Sequence, residues 1–184
     1  MLTEAHKQRR ISFAREHRHW TVEDWSNVMF TDESPFKVFY APNAKNDTVW
    51  GSQEQNVPPA PQMKFSPSVM VWDGMTARGL TKLHFVPNGT RLNSQYYITN
   101  ILEQTVKPAF ERENDNGSVI QRKLFVDNDL GVFQQDGARC HTSAVTTKWL
   151  DDNLPSHIKP KDWPPNSPDL SPIENLWSIF SQRL

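Results

Sequence analysis

Three carboxylates in this 184-residue chain stand where they could share a cation: Asp32, Asp136 and Glu174. Asp32 and Asp136 each close a short apolar run that reads as a strand, Val28-Met29-Phe30-Thr31-Asp32 and Gly131-Val132-Phe133-Gln134-Gln135-Asp136. Glu174 opens a helix directly after a proline-punctuated loop, Pro164 to Pro172. Acids at strand ends of an α/β sheet lie where such sheets bind ligands. Three of them held together repel unless cations neutralise them. All-oxygen ligands favour Mg²⁺ or Mn²⁺ over zinc. Two such ions about 4 Å apart would clamp an in-line phosphoryl displacement, activating a water or a 3′-hydroxyl and stabilising the leaving oxygen. In that arrangement Asp32 is shared between both ions, and Asp136 and Glu174 each hold one from opposite sides.

Each acid also has a plainer reading. Ser171-x-x-Glu174 is a capping box, and a Glu at that position needs no other task. Asp32 could be a strand-end cap, and Glu33 beside it is equally acidic. Alternation separates the two: with a period of two, Asp32 falls on the Val28/Phe30 face and Glu33 on the other. Asp73 reads as a turn carboxylate at the exit of a strand. His141, five residues past Asp136, could approach a phosphate or the metal site, or could be a helix-entry histidine with a structural partner.

Several elements must position these groups. Residues 1–25 form a basic, helix-prone lead-in, read either as a solvated helix on the domain edge or as a phosphate-contacting linker. After the Asp32 strand, Ser34-Pro35 is expected to turn the chain into a second strand, Phe36 to Tyr40. Residues 41–67 are loop-like and proline-rich, with Thr48-Val49-Trp50 as the one strand-like patch. Ser68 to Trp72 and Leu80 to Val86 read as strands joined near Gly74 to Gly79. Ser94 to Arg112 is helical, with Tyr97, Ile98, Ile101, Leu102, Val106 and Phe110 as its core stripe. A helix from about Thr142 to Leu150 follows the Asp136 strand, and His157-Ile158-Lys159 is a possible last strand. In the last helix Pro172 suits the first position and Ile173, Leu176, Trp177 and Phe180 form an apolar face. The order predicts an α/β layer with a mixed sheet whose first three strands are antiparallel.

Bulk composition narrows the class. Lys and Arg number 20 against 21 for Asp and Glu, so the chain has no overall basic bias. Its one cysteine, Cys140, excludes an internal disulfide framework. No apolar run approaches the roughly 20 residues that span a bilayer, so no membrane role is expected. Histidine and cysteine spacing does not suit structural zinc.

Phe30-Thr31-Asp32-Glu33-Ser34, Gln134-Gln135-Asp136-Gly137 and Trp163 to Trp177 together resemble the catalytic domain of Tc/mariner-superfamily DNA transposases. Ser167-Pro168-Asp169-Leu170 resembles the superfamily's Ser-Pro-Asp-Leu signature, and Phe13 to His17 with Trp20-Thr21 is similar to the lead-in of those domains. Asp136 and Glu174 are separated by 37 residues. That spacing resembles the longer-spaced mosquito-type branch with a terminal Glu. The resemblance implies an RNase H-like fold over residues 26–184, with a mixed five-stranded sheet flanked by helices and Asp32, Asp136 and Glu174 as the Mg²⁺- or Mn²⁺-binding catalytic triad. It implies DNA cleavage at transposon terminal inverted repeats, strand transfer into TA target DNA, and location in the nucleus. It further implies that residues 41–67 resemble the clamp loop through which mariner-type homodimers form. The family's paired helix-turn-helix modules are expected to be absent from this chain. The alternatives are a domesticated, non-catalytic nuclear adaptor that keeps the fold, and a host RNase H-like nuclease acting on hybrids or junctions.

Overall fold

The computed structural model describes residues 2–37, 67–111, 124–125 and 131–183. The expected loop at 41–67 and the patch at Thr48 to Trp50 lie almost wholly outside them. Two capped helices open the chain, α1 (Glu4–Glu16) and α2 (Val22–Ser26). Each starts at a threonine, Thr3 or Thr21, whose side chain accepts from the third helical amide.

The sheet is built on β1 (Val28–Lys37) and β2 (Ser68–Thr76), with β3 (Gly79–Leu80) and β4 (His84–Val86) both paired to β2. β5 (Val132–Gln134) lies on the other side of β1. The β1/β2, β2/β3 and β2/β4 pairs are antiparallel and β1/β5 is parallel, which gives the mixed five-stranded sheet expected. The last expected strand shrinks to one parallel bridge, Phe133 with His157.

Two local expectations fail, for related reasons. Ser34-Pro35 is no turn: β1 runs straight through it to Lys37, pairing Pro35 with Met70. The ladder to β5 stops at Phe30, so among the described residues β1 is an edge on that side from Thr31 onward. A proline is tolerated where its missing N–H faces an edge. Likewise β2 does not end at Trp72 but continues to Thr76, with the reversal at Ala77-Arg78. Asp73 therefore sits inside a strand, directly opposite Asp32.

Both faces of the sheet are covered. Met29, Trp72 and Phe133 pack with Tyr97, Ile101, Leu102 and Leu150 on one face. Val28, Phe30 and Val71 pack with Ile173, Trp177, Trp163 and Phe13 on the other. The first group is supplied by a continuous helical stretch, α3 (Ser94–Tyr96), a π-helical run Tyr97–Val106 and α4 (Lys107–Phe110), together with α6 (Ala144–Asn153). The wider π turn suits Tyr97, Ile101, Leu102 and Val106, the residues it buries, and leaves Ile98 only partly covered. α5 (Arg139–Thr142) precedes α6, and α7 (Pro172–Arg183) covers the second face.

The lead-in is fastened to the loop before α7. Arg9 Nη2 donates to the carbonyls of Lys161 at 2.6 Å and Trp163 at 3.0 Å. Arg10 forks onto both oxygens of Asp169 at 2.8 and 2.6 Å. Phe13 is buried edge-on against Trp163, with ring centroids 5.3 Å apart. These two arginines anchor the Ser-Pro-Asp-Leu loop, on a helix that is mostly exposed and buries only Phe13. Among the described residues, no helix is long and apolar enough to cross a membrane.

Candidate active site

Asp32 lies on β1 just past the last residue that β5 holds. Phe30 pairs with Gln134 at the end of that parallel ladder, and Asp32 and Asp136 each stand two residues further along their own segment. Alternation along β1 is as the sequence implied. Val28 and Phe30 join the α7 side, Met29 the opposite side. Asp32 follows the first pair and accepts a hydrogen bond from Trp177 Nε1 on α7 at 3.1 Å. Glu33 faces the other way and meets His141.

Glu174 sits one turn before Trp177, so the helix that supplies Asp32's donor also carries Glu174 past the same strand. The capping box does not form. Ser171 Oγ is buried without a partner, and the Glu174 amide donates to the Ser171 carbonyl at 3.2 Å. Glu174 itself is exposed. Its charge reaches Asp32: burial, then Glu174, then Glu33 push the Asp32 carboxyl up to about 7, against the bonds from Glu33's backbone and Trp177.

Asp136 stands past the end of β5, and both of its recorded bonds land on Oδ1. The Ala138 amide donates to it at 2.9 Å, and His141 Nδ1 lies 2.6 Å away. Burial pushes this carboxyl up, but the bonds from His141 and Ala138 outweigh it and the net shift is downward. His141 is the converse case. Burial opposes its charge, but Tyr97, Asp136, Cys140 and Glu33 together raise its pKa well above the usual histidine value.

The structure thus couples Asp32 to Glu174 and places Asp136 two residues past the end of the neighbouring strand, with Oδ1 bonded to His141. Among the described residues, no three of His, Cys, Asp and Glu are grouped closely enough to hold a metal ion. The chemistry of the set still fits a hard divalent cation. Every donor is a carboxylate oxygen, and burial and like charge push the Asp32 carboxyl up, the condition a cation relieves.

Local pattern did not show the surroundings of three groups. Asp73, fully buried beside Asp32, accepts from the Gly74 amide at 2.7 Å and Thr81 Oγ1 at 2.5 Å, while its Oδ2 has no partner. Burial pushes it up to about 6. Trp177 was visible only as a core residue, and its indole N–H is what touches Asp32. His141 had a sequence signal in its five-residue distance from Asp136, but nothing local marked Glu33 as its second partner.

No family model matches the chain. In sequence it is 29% identical over 181 residues to the Tcb2 transposable-element transposase of Caenorhabditis briggsae, covering 95% of this chain and 58% of that protein. It is 30% identical over 181 residues to the Tc3 transposase of Caenorhabditis elegans, covering 98% of this chain and 48% of that one. The chain therefore spans about half to three fifths of these relatives' length. In structure, all of it superposes on the catalytic domain of Mos1 mariner transposase with a TM-score of 0.61 at 13% identity, covering 73% of that chain. A Mos1 paired-end complex with the left transposon end matches at a TM-score of 0.70 and 18% identity, and one with Mg at 0.71 and 15%, each over 50% of the Mos1 chain. These likenesses establish the fold, the RNase H-like arrangement of the Mos1 catalytic domain.

Proposed function

We infer that this chain, which is similar in sequence to the Tcb2 and Tc3 transposases and has the fold of the Mos1 catalytic domain, belongs with the Tc1/mariner transposases and cuts and joins DNA strands in cut-and-paste transposition. In this reading residues 26–184 are the catalytic domain and residues 1–25 lead into it. The substrates are the terminal inverted repeats of a transposon and a TA target, in the nucleus. Asp32, Asp136 and Glu174 hold Mg²⁺ or Mn²⁺, as two ions, and residues 41–67 contact a second copy. The Mos1 complexes with transposon-end DNA and with Mg support the partner and the cofactor by analogy.

The observation that carries the reading is the placement of Asp32 on β1, held by Trp177 Nε1 of the same helix that carries Glu174, with burial, Glu174 and Glu33 pushing its carboxyl up. Such a site gains from a cation and has no evident structural use without one. When bound, the cation supplies activation of a water or 3′-hydroxyl and neutralises the leaving oxygen. The protein's own part is to orient. Trp177 fixes one oxygen of Asp32, the anchored Ser-Pro-Asp-Leu loop sets where α7 begins, and α7 sets where Glu174 points.

Asp136→Asn tests the assignment. Mn²⁺ titration of the metal-free chain should show weaker binding in the variant. Nicking of terminal-repeat DNA in Mn²⁺ should fall by roughly a thousandfold, about 4 kcal/mol of barrier. A variant that binds Mn²⁺ as well as the parent removes Asp136 from the site. If the parent binds DNA but shows no Mn²⁺-dependent nicking, the domesticated adaptor is the better description.

A further inference from the structure

Asp136 is poorly held by its own strand. It lies two residues past the last β5 ladder pair, is followed by Gly137, and its side chain is 52% exposed. Its carboxylate is held at Oδ1 by the His141 ring together with the Ala138 amide. The His141 side chain is 2% exposed, with Nδ1 2.6 Å from Asp136 Oδ1 and Nε2 3.1 Å from Glu33 Oε1. Carboxylates only accept, so both ring nitrogens donate.

The ring is fixed from every other side. It lies 4.4 Å from the buried Tyr97 ring. Gln135 Nε2 donates to the His141 carbonyl at 3.0 Å, and Tyr97 Oη donates to Gln135 Oε1 at 2.9 Å. Gln135 and Tyr97 are themselves buried. The network therefore spans β1, the strand end after β5, α5 and the π-helical run. It ties the residues next to two of the three proposed ligands, because Glu33 adjoins Asp32 and His141 holds Asp136.

We propose that His141 is the positioning residue of the site: it grips Asp136 through Oδ1, braces that grip on Glu33 of β1, and so presents Oδ2 of Asp136 toward the cation. This rests on the reading of Asp136 as a ligand. Outer partners of metal-binding carboxylates fix the ligand's orientation, and their loss costs about 10- to 100-fold in metal affinity.

The two halves of the grip can be separated. Asn at position 141 keeps an N–H near the place of Nδ1 and loses the reach to Glu33. Gln reaches further, toward Glu33, and leaves Asp136 to the Ala138 amide alone. The experiment is Mn²⁺ binding to the full chain, read from the free-ion EPR signal, with the Mn²⁺ dependence of terminal-repeat nicking beside it. His141→Ala and His141→Gln should weaken Mn²⁺ binding about 10- to 100-fold, and His141→Asn should stay within about threefold of the parent. The Mn²⁺ concentration for half-maximal nicking should rise in step, with the rate at saturating Mn²⁺ changed far less. If the alanine variant does not fold, the Asn and Gln pair still decides. Folded variants that all bind Mn²⁺ like the parent overturn the proposal and leave Asp136 as a ligand. A parent that binds no Mn²⁺ overturns the site itself, and this inference with it.

Discussion

Asp32→Asn is expected to end Mn²⁺-dependent cleavage and, at the same time, to stabilise the metal-free protein at pH 8. The sign follows from the direction of the shift. In the folded chain burial, Glu174 and Glu33 push the Asp32 carboxyl up to about 7, whereas in the unfolded chain it titrates near 3.9. Below about pH 4 the group is protonated in both states and has no effect on stability. As pH rises from about 4 to about 7 the unfolded state loses its proton first, and stability falls. Three units correspond to at most about 4 kcal/mol. Asp32 is partly exposed, so screening by water reduces this to about 1–3 kcal/mol. Asparagine removes the charge and keeps an oxygen for the Trp177 N–H. In a domain of this size the gain is about 3–8 °C in melting temperature. Melting curves check it. The variant should exceed the parent at pH 8, match it near pH 4, and lose the rise that Mn²⁺ gives the parent at pH 8. A variant that melts below the parent at pH 8 contradicts this picture of Asp32.

Trp177 joins packing to chemistry, and two substitutions separate them. The residue is 4% exposed and packs near Phe36 and Phe180, with ring centroids at 5.7 and 6.1 Å. Trp177→Ala leaves a cavity between α7 and β1 and should cost about 3–5 kcal/mol in urea unfolding. That is a large part of the roughly 5–15 kcal/mol by which domains are stable. Trp177→Phe keeps most of the ring and removes the donor to Asp32. It should cost only about 1–2 kcal/mol, yet its effect on the site is specific. The indole bond lowers the Asp32 pKa, so its loss raises that value and shifts the pH dependence of Mn²⁺ binding and nicking upward. A phenylalanine variant with the parent's pH profile would show that the indole N–H has no part in tuning Asp32.

What the sequence made legible was mostly periodic. The two-residue repeat of β1 separated Val28, Phe30 and Asp32 from Met29 and Glu33, and the two core clusters divide along that line. The apolar run before Asp136 does form a strand, but β5 ends at Gln134, two residues short of the expected end at Asp136. What stayed hidden depends on distant neighbours. Ser34-Pro35 looked like a turn because nothing local shows that β5 stops pairing at Phe30. Gly74 looked like part of the reversal after Asp73. Its use is close approach: a Cβ there would stand 3.0 Å from Thr81 Cγ2 and 3.1 Å from Met29 Sδ. The capping pattern at Ser171 and Glu174 was a sound local inference, overridden by a carbonyl that accepts the amide in place of the hydroxyl. The Arg10–Asp169 and Glu33–His141 pairs join residues 159 and 108 positions apart, beyond any local pattern.

The central claim is that Asp32, Asp136 and Glu174 together hold a divalent cation, and anomalous diffraction from crystals of the chain grown with Mn²⁺ tests it most directly. The expected result is Mn²⁺ coordinated by Asp32 and by carboxylate oxygens of both Asp136 and Glu174, with His141 still on the other oxygen of Asp136. Mn²⁺ bound elsewhere, with these three carboxylates uncoordinated at saturating metal, would contradict it.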